Sequence, residues 1–174
     1  VYSINLGDLV YNWMSGYDDY ADIVEGGGVT MFNVIGNHDY DQNTMWETGL
    51  GTPFYETYIS PAYYSFNIGR IHYVVVNDIM YDRTDPTARY GYGIDDDQMK
   101  WLEADLSYIP KDRTIVLCGH AQMFKKRGNT PNGSFSKYYV NYERYRDLLT
   151  SYRFVYSWSG HYHDNFGYDY RNNG

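Results

Sequence analysis

Four short clusters of polar residues each follow an apolar run, and their side chains are of types that bind metal ions or transfer protons. The clusters are Gly7-Asp8, Gly36-Asn37-His38-Asp39, Gly119-His120 and Gly160-His161-Tyr162-His163. Carboxylate and amide oxygens and imidazole nitrogens suit hard and borderline divalent cations, and imidazole also exchanges a proton near neutral pH. Four of the five histidines lie in these clusters. This distribution indicates a metal site rather than four unrelated turns.

The second cluster combines a neutral metal ligand with a histidine and a carboxylate. Asn37 offers an oxygen that can ligate a metal, and His38 offers a proton near neutral pH. The adjacent Asp39 can fix the tautomer of that histidine or raise its pKa. Considered alone, the cluster is also typical of a turn at the end of a strand, because Gly, Asn and Asp favour turns. Asp8 alone is similarly compatible with an N-cap of the following helix.

Each cluster is expected at the carboxyl end of a buried strand, because each apolar run has strand length and ends in glycine. The predicted strands are 1–6, 29–35, 114–118 and 153–158. Open α/β sheets place their chemistry at this edge. His161 and His163 are expected on one side of an extended segment, because alternate residues of a strand share a face.

The remaining elements complete an α/β pattern. The helix predicted over 95–108 has a capping-box-like start at Asp95 and Gln98, and Met99, Leu102 and Leu106 lie on one face. Residues 40–61 and 80–93 show no firm periodicity and are predicted to be irregular. Further predicted helices are 18–24, followed by three glycines, and 141–152; a hairpin joins strands 63–68 and 71–77 through Gly69-Arg70.

Several reactive side chains outside the clusters have simpler interpretations. His72 alternates within a predicted strand and is interpreted as structural, and Cys118 as a buried structural thiol. Arg89 either faces a substrate phosphate or is a solvated loop residue. The basic run 125–127 either recruits anions after His120 or is a solvated patch.

Composition limits the class of protein. The chain has 174 residues, 43% of them hydrophobic and 20% aromatic, which is typical of one globular domain with a real core. Its formal charge of −8 disfavours a general nucleic-acid binder. A single cysteine excludes an internal disulfide framework. No apolar run reaches the ~18 residues of a membrane span.

The order and content of the four clusters resemble the calcineurin-like metallophosphoesterases. The blocks of that family read Asp-x-His, Gly-Asp, Gly-Asn-His-Asp/Glu, a single His and Gly-His-x-His, and four of the five are present between residues 7 and 163. The resemblance implies a two-sheet β-sandwich flanked by helices, with four α/β/β/α layers, as a single domain over residues 1–174. It also implies hydrolysis of a phosphomonoester or phosphodiester.

The resemblance assigns a role to each cluster residue at a dinuclear site that holds two divalent metal ions, such as Mn, Fe or Zn. Asp8 would bridge the two ions. Asn37, His120 and His161 would complete one site, and His163 would contribute to the other. His38 would be the general acid that protonates the leaving oxygen, and Asp39 would orient it.

The Asp-x-His block of the family is absent from this chain. Only five residues precede Leu6, which predicts a fragment, incomplete at its N-terminus, whose parent carries the block upstream. The alternative is a catalytically impaired member of the same fold that acts as a binding or interaction module. A structural zinc site made from the histidines is a third possibility, disfavoured because such sites prefer cysteine and closed coordination.

Overall fold

The computed structural model describes residues 1–40, 51–81, 90–122 and 139–163. These ranges contain nine β-strands and four α-helices. The strands are β1 (Tyr2–Asn5), β2 (Thr30–Asn33), β3 (Tyr64–Ile68), β4 (Ile71–Val75), β5 (Ile79–Tyr81), β6 (Tyr90–Gly93), β7 (Thr114–Gly119), β8 (Tyr139–Val140) and β9 (Phe154–Ser159). The helices are α1 (Gly16–Gly27), α2 (Thr52–Tyr58), α3 (Asp96–Ser107) and α4 (Tyr142–Thr150).

The strands form three sheets, which confirms the mixed α/β class. The largest has the order β3-β4-β7-β9, in which β4, β7 and β9 are parallel and β3 is antiparallel to β4. A second sheet pairs β1 with β2 in parallel. The third has the order β5-β6-β8, with β6 antiparallel to β5 and parallel to β8. The parallel strands that precede the four clusters are therefore β1, β2, β7 and β9.

The four-stranded sheet is buried on both faces. Alternate residues of its central strands point to opposite sides, so each strand contributes to two cores. On one side, Val74 and Leu117 join a core that α3 and α4 complete, with Met99 among its members. On the other side, Tyr73 and Val116 pack toward residues of β1 and the segment after β2. This layering holds the carboxyl ends of β1, β2, β7 and β9 close to one another.

Helix α3 starts as its sequence predicts. The Asp95 side chain accepts a hydrogen bond of 2.7 Å from the Gln98 backbone N–H, which satisfies one of the free amides of the first turn. Met99, Leu102 and Leu106 are completely buried. Because this face packs against β4 and β7, its apolar residues are core residues.

Two segments predicted to be irregular contain regular structure. Helix α2 lies within 40–61, the strand β5 starts at Ile79 and continues into 80–93, and the strand β6 lies within 80–93. The helix has seven residues and no complete apolar stripe, and burial of Tyr55 against Tyr17 fixes it in place. The two strands have only three and four residues, too few to show alternation, and they are defined by their pairing. Arg89 and the run 125–127 lie outside the described residues.

None of the helices in the described ranges is long and apolar enough to cross a membrane.

The side chains predicted to be structural are buried. Cys118 is a free thiol with no exposed surface. His72 is also buried, and its Nε2 lies 2.8 Å from Asp105 Oδ2 on α3 while its Nδ1 lies 3.2 Å from Asn67 Oδ1. The Ser65 hydroxyl donates to the other Asp105 oxygen at 2.7 Å. This network joins the four-stranded sheet to α3, away from the four clusters.

The Asp105 network is expected to make stability depend on pH. Burial raises the pKa of the Asp105 carboxyl, but hydrogen bonds with His72 and Ser65 outweigh burial and hold that pKa below its usual value. The stabilisation is therefore complete above the ordinary aspartate pKa of about 3.9 and disappears as the pH falls through the lower pKa of the folded state. At pH 7, Asp105→Asn should lower the free energy of unfolding by about 1.5–3 kcal/mol, because it removes charge-assisted hydrogen bonds.

Urea unfolding at pH 7 and at pH 3 measures this dependence. The difference in the free energy of unfolding between Asp105→Asn and the unmodified protein should be smaller at pH 3 than at pH 7. Asp97→Asn is the control, because Asp97 is exposed and forms its ion pair with the exposed Lys100. We expect no measurable change for that variant. If the difference in the free energy of unfolding for Asp105→Asn is the same at both pH values, the ionised Asp105 carboxylate is not the source of the stabilisation.

Candidate active site

The four clusters meet at the carboxyl ends of their strands, where backbone hydrogen bonds connect them. The Asn12 N–H donates to the His38 carbonyl at 2.9 Å, and the Gly160 N–H donates to the His120 carbonyl at 3.1 Å. The His38 N–H donates to Asp8 Oδ1 at 3.0 Å. The sequence prediction that these clusters form one site is therefore consistent with their positions.

Strained backbone is concentrated in the same place. Five non-glycine residues in the described ranges have a positive φ, and Asp8, Asn12, His161 and His163 are four of them. Each left-handed non-glycine residue costs about 1–3 kcal/mol, and such strain persists only where the surrounding structure enforces it. Its concentration at the clusters is typical of a functional site.

Glycine is required in two clusters because other groups approach it closely. A Cβ on Gly36 would lie 2.4 Å from the backbone nitrogen and from Oδ1 of Asp8. A Cβ on Gly7 would lie 2.4 Å from His120 Nδ1, and Gly7 also has a φ of 97°. Neither position accommodates a side chain without moving Asp8 or His120, which explains why both motifs contain glycine.

Four donor atoms, from the segments that follow four strands, converge at the centre of the site. Asn37 Oδ1 lies 3.1 Å from His120 Nε2 and 2.9 Å from His161 Nδ1. Asp8 Oδ2 lies 3.3 Å from the same His120 Nε2. Ligands about 2.0–2.2 Å from one ion, in tetrahedral or octahedral arrangement, are about 2.9–3.6 Å from their neighbours. The observed separations lie within that range.

The hydrogen bonds of His120 direct its free nitrogen into this cluster. Its Nδ1 lies 2.6 Å from the Leu6 carbonyl oxygen, so Nδ1 is the donor. In a neutral ring, the lone pair of Nε2 then faces the oxygens of Asn37 and Asp8. Burial lowers the pKa of His120, but the Asp8 carboxylate outweighs burial and raises it overall. Burial likewise raises the pKa of Asp8, and His120 and His38 together hold it below its usual value. The cluster therefore favours a positive charge at its centre.

His161 is the second imidazole of the cluster. Burial first, and the nearby His120 second, lower the pKa of His161 to about 4. The ring is therefore neutral at neutral pH, as a metal ligand must be. Its Nε2, on the side away from Asn37, lies 3.0 Å from the Tyr92 hydroxyl.

The donor set fits a divalent cation. In the described part of the chain, no three His, Cys, Asp or Glu side chains converge as a metal site by themselves. The cluster instead depends on the Asn37 amide oxygen, which lies within 3.1 Å of both imidazoles. Two imidazole nitrogens, one carboxylate and one amide oxygen suit borderline divalent metals.

His38 lies beside the cluster rather than in it. Its Nδ1 is 2.9 Å from Asn12 Oδ1, which can only accept, so Nδ1 carries a proton. The partly exposed ring stacks on Tyr11 with 4.4 Å between ring centroids. Asn12 and Tyr11 therefore hold the ring for which the sequence predicts a proton-donor role.

Asp39 contacts backbone rather than the His38 ring. Its buried carboxylate accepts hydrogen bonds from the N–H groups of Asp8 (2.9 Å), Leu9 (2.7 Å), Val10 (3.1 Å) and Gly36 (2.7 Å). Burial outweighs these bonds and raises the pKa of Asp39 to about 6. The orienting contact expected from Asp39 is made by Asn12, and Asp39 fixes the loop that carries Asp8.

The structure does not bring His163 into the cluster. The side chain is exposed, and none of the hydrogen bonds or ion pairs of the described residues involves it. The prediction that His161 and His163 share one face of an extended segment is wrong. Strand β9 ends at Ser159, and both histidines have a left-handed φ, of 65° and 53° respectively. The chain therefore turns between them.

Sequence reasoning missed a buried carboxylate beneath the site. Asp78 Oδ1 accepts a hydrogen bond of 3.0 Å from the His120 N–H, and Oδ2 accepts one of 2.9 Å from the Ala121 N–H. Burial raises the pKa of Asp78 to about 7. The available signal was an apolar run over 73–76 followed by Asn77 and Asp78, the same pattern as the clusters but without glycine.

Two tyrosines from β5 and β6 were also missed. The Tyr81 hydroxyl donates to the Asn37 carbonyl at 2.8 Å, and the Tyr92 hydroxyl contacts His161 as described above. No sequence signal identified them, because residues 80–93 were predicted to be irregular.

A cavity of about 360 Å³ has Tyr40, Asn77, Tyr81 and Gln98 in its lining. The Tyr40 hydroxyl and the Asn77 amide are already hydrogen-bonded to each other, at 2.9 Å. None of the four donor residues lines this cavity. The chemistry is therefore expected at the four-donor cluster and not in the cavity.

Comparisons with known proteins agree with this arrangement. The structure is similar to a purple acid phosphatase from yellow lupin (Lupinus luteus) seeds, with 18% sequence identity and a TM-score of 0.62. The match covers 94% of this chain and 31% of the lupin chain, so the chain spans about a third of that protein's length. A comparison with curated proteins gives no match. The family model for the calcineurin-like phosphoesterases matches residues 2–165. The lupin structure confirms the expected fold, and the family match shows that the chain belongs to the calcineurin-like phosphoesterases.

Proposed function

We propose that the protein hydrolyses phosphate esters, either monoesters or diesters, at a site that holds divalent metal ions. The observation that carries the proposal is the convergence of Asp8, Asn37, His120 and His161. Asn37 Oδ1 lies within 3.1 Å of one nitrogen of each imidazole, and Asp8 Oδ2 lies 3.3 Å from His120 Nε2. Membership of a phosphoesterase family supports the same reaction class.

A bound divalent cation supplies Lewis acidity toward phosphoryl oxygens and lowers the pKa of a bound water toward 7. The four-donor cluster would hold that cation, and its neutral His161 and Asn37 would contribute no charge that cancels it. An acidic chain that handles an anionic substrate needs such local positive charge. The formal charge of −8 makes this need particularly strong here.

The proposal gives His38 the role of general acid. Its Nδ1 proton is held by Asn12 at 2.9 Å, so Nε2 of the imidazolium is the nitrogen that can donate to the leaving oxygen. The His38 backbone N–H also holds Asp8 Oδ1 at 3.0 Å. The proton donor and the metal-binding carboxylate are therefore fixed relative to each other, which favours protonation of a substrate held at the cluster.

The proposal includes a second cation, as the resemblance implies, with Asp8 shared between the two and His163 as a further ligand. The support for this part is the family membership. The identity of the metals is left open among Mn, Fe, Zn and similar ions, because the donor set suits several of them.

The direct experiment combines metal analysis with hydrolysis. The protein is dialysed against a chelator, reloaded separately with Mn²⁺, Fe²⁺ or Zn²⁺, and assayed with an aryl phosphomonoester and an aryl phosphodiester. Retained metal and chelator-sensitive hydrolysis of at least one ester are expected. The double variant Asn37→Ala, His161→Ala should retain no metal. Hydrolysis that survives complete removal of metal, or metal retention by the double variant, would contradict the proposal.

A further inference from the structure

Tyr92 contacts His161 on the side opposite to the four-donor cluster. The Tyr92 hydroxyl lies 3.0 Å from His161 Nε2, and Asn37 Oδ1 lies 2.9 Å from His161 Nδ1. The ring therefore has a hydrogen-bond partner at each nitrogen, one on each side. A neutral imidazole carries only one proton, so its two partners together decide which nitrogen is free to bind a cation.

The two partners differ in what they can do. The Asn37 oxygen can only accept, so without a cation the His161 proton belongs on Nδ1 and the Tyr92 hydroxyl donates to Nε2. A cation at Nδ1 requires the proton on Nε2 instead. The Tyr92 hydroxyl can then accept that proton's hydrogen bond, because a phenol both donates and accepts. A phenylalanine ring at position 92 would leave Nε2 without this partner in either state.

We infer that Tyr92 is a positioning residue that lets His161 exchange tautomers and thereby raises the affinity of the cluster for a divalent cation. This inference rests on the proposed function, since it assumes that His161 is a metal ligand. Outer partners of metal-binding histidines commonly fix the ring in this way, and their loss weakens metal affinity about 10–100-fold.

The sheet that carries Tyr92 fixes its backbone from both sides. Strand β6 lies between β5 and β8, and Tyr92 pairs with Ile79 on one side and Tyr139 on the other. Its ring meets the His161 ring edge-on, with 5.7 Å between centroids. The Tyr90 ring also packs edge-on against the Tyr92 ring, with 5.8 Å between centroids. The backbone and the ring thus fix the oxygen while the proton remains free to turn.

Nitrogen NMR of the ¹⁵N-histidine-labelled protein tests the tautomer directly. The His161 signals are assigned by their absence from the His161→Gln variant. The proton is expected on Nδ1 in the cation-free protein and on Nε2 after titration with Zn²⁺, a diamagnetic probe. A zinc-loaded protein that keeps the His161 proton on Nδ1 would overturn the inference.

Zinc affinity, measured by competition with a chromogenic chelator, tests the consequence. Tyr92→Phe should weaken zinc binding about 10–100-fold. Tyr152→Phe is the matched control, because its hydroxyl donates to the Leu106 carbonyl in the core, and it should leave the zinc affinity unchanged. Far-UV circular dichroism confirms that both variants fold.

The outcomes separate the two proposals. Zinc binding that is equally tight in Tyr92→Phe and in the unmodified protein overturns the role of Tyr92 and leaves the metal centre intact. Weakening of the same size in Tyr152→Phe also overturns that role, because it would reflect general loss of packing. Absence of any zinc binding by the unmodified protein overturns the metal centre and the inference together.

Discussion

The Asp8→Asn protein is expected to lose both its divalent cation and its hydrolytic activity. Asp8 Oδ2 lies 3.3 Å from His120 Nε2 and is the only carboxylate oxygen among the four converging donors. Its removal takes away the one negative charge that holds the cation, an effect of several kcal/mol at a metal site. Activity on an aryl phosphate should fall at least about a thousandfold, since each 1.36 kcal/mol is tenfold in rate. Metal analysis and initial rates measure the two effects.

Asparagine is the appropriate replacement because it preserves the local structure. Asp8 has a φ of 59°, a left-handed conformation that asparagine also tolerates. The amide oxygen can still accept the His38 N–H that now bonds to Asp8 Oδ1. Asp19→Asn, a change of the same kind on the exposed first turn of α1, should leave metal content and rate unchanged. Full metal retention by Asp8→Asn would remove Asp8 from the proposed ligands.

The positions of the four clusters could be predicted from the sequence because each combines three independent signals. The runs before Asp8, Asn37, His120 and His161 are apolar and of strand length, each ends in glycine, and each is followed by a metal-ligand type. The close approaches at Gly7 and Gly36 show why the glycine is part of the signal. Helix α3 could be predicted equally well, because its N-cap and its apolar stripe are formed by residues close together in the sequence.

The rest of the site depends on tertiary contacts that leave little trace in the sequence. Tyr81 and Tyr92 lie on strands of three and four residues, which exist because β6 pairs with both neighbours. The pairing of Asp39 with backbone amides of residues 8–10 follows from the approach of two loops about 30 residues apart. The alternation of a strand would place His161 and His163 on the same face, but the chain turns between them. Local patterns cannot specify such contacts.

The second large effect is expected for His38→Gln, which should lower the rate about 10²–10⁴-fold on an alkyl phosphate and leave metal content unchanged. An alkoxide is a poor leaving group and needs a proton from His38 as the bond breaks. The oxygen of an activated aryl phosphate hardly needs that proton, so the loss on this substrate should be much smaller. Steady-state rates on the two substrates, with metal analysis of the same samples, measure the difference.

Asn12→Ala provides the matched comparison for this prediction. It removes the amide that accepts from His38 Nδ1 at 2.9 Å but keeps the imidazole itself. The rate on the alkyl phosphate should therefore fall less than in His38→Gln, and the same preference for the aryl substrate should persist. The loss is smaller in Asn12→Ala because an imidazole that is less well oriented can still donate a proton, whereas the glutamine of His38→Gln cannot. Equal losses on both substrates, or loss of metal from His38→Gln, would make His38 a ligand rather than the general acid.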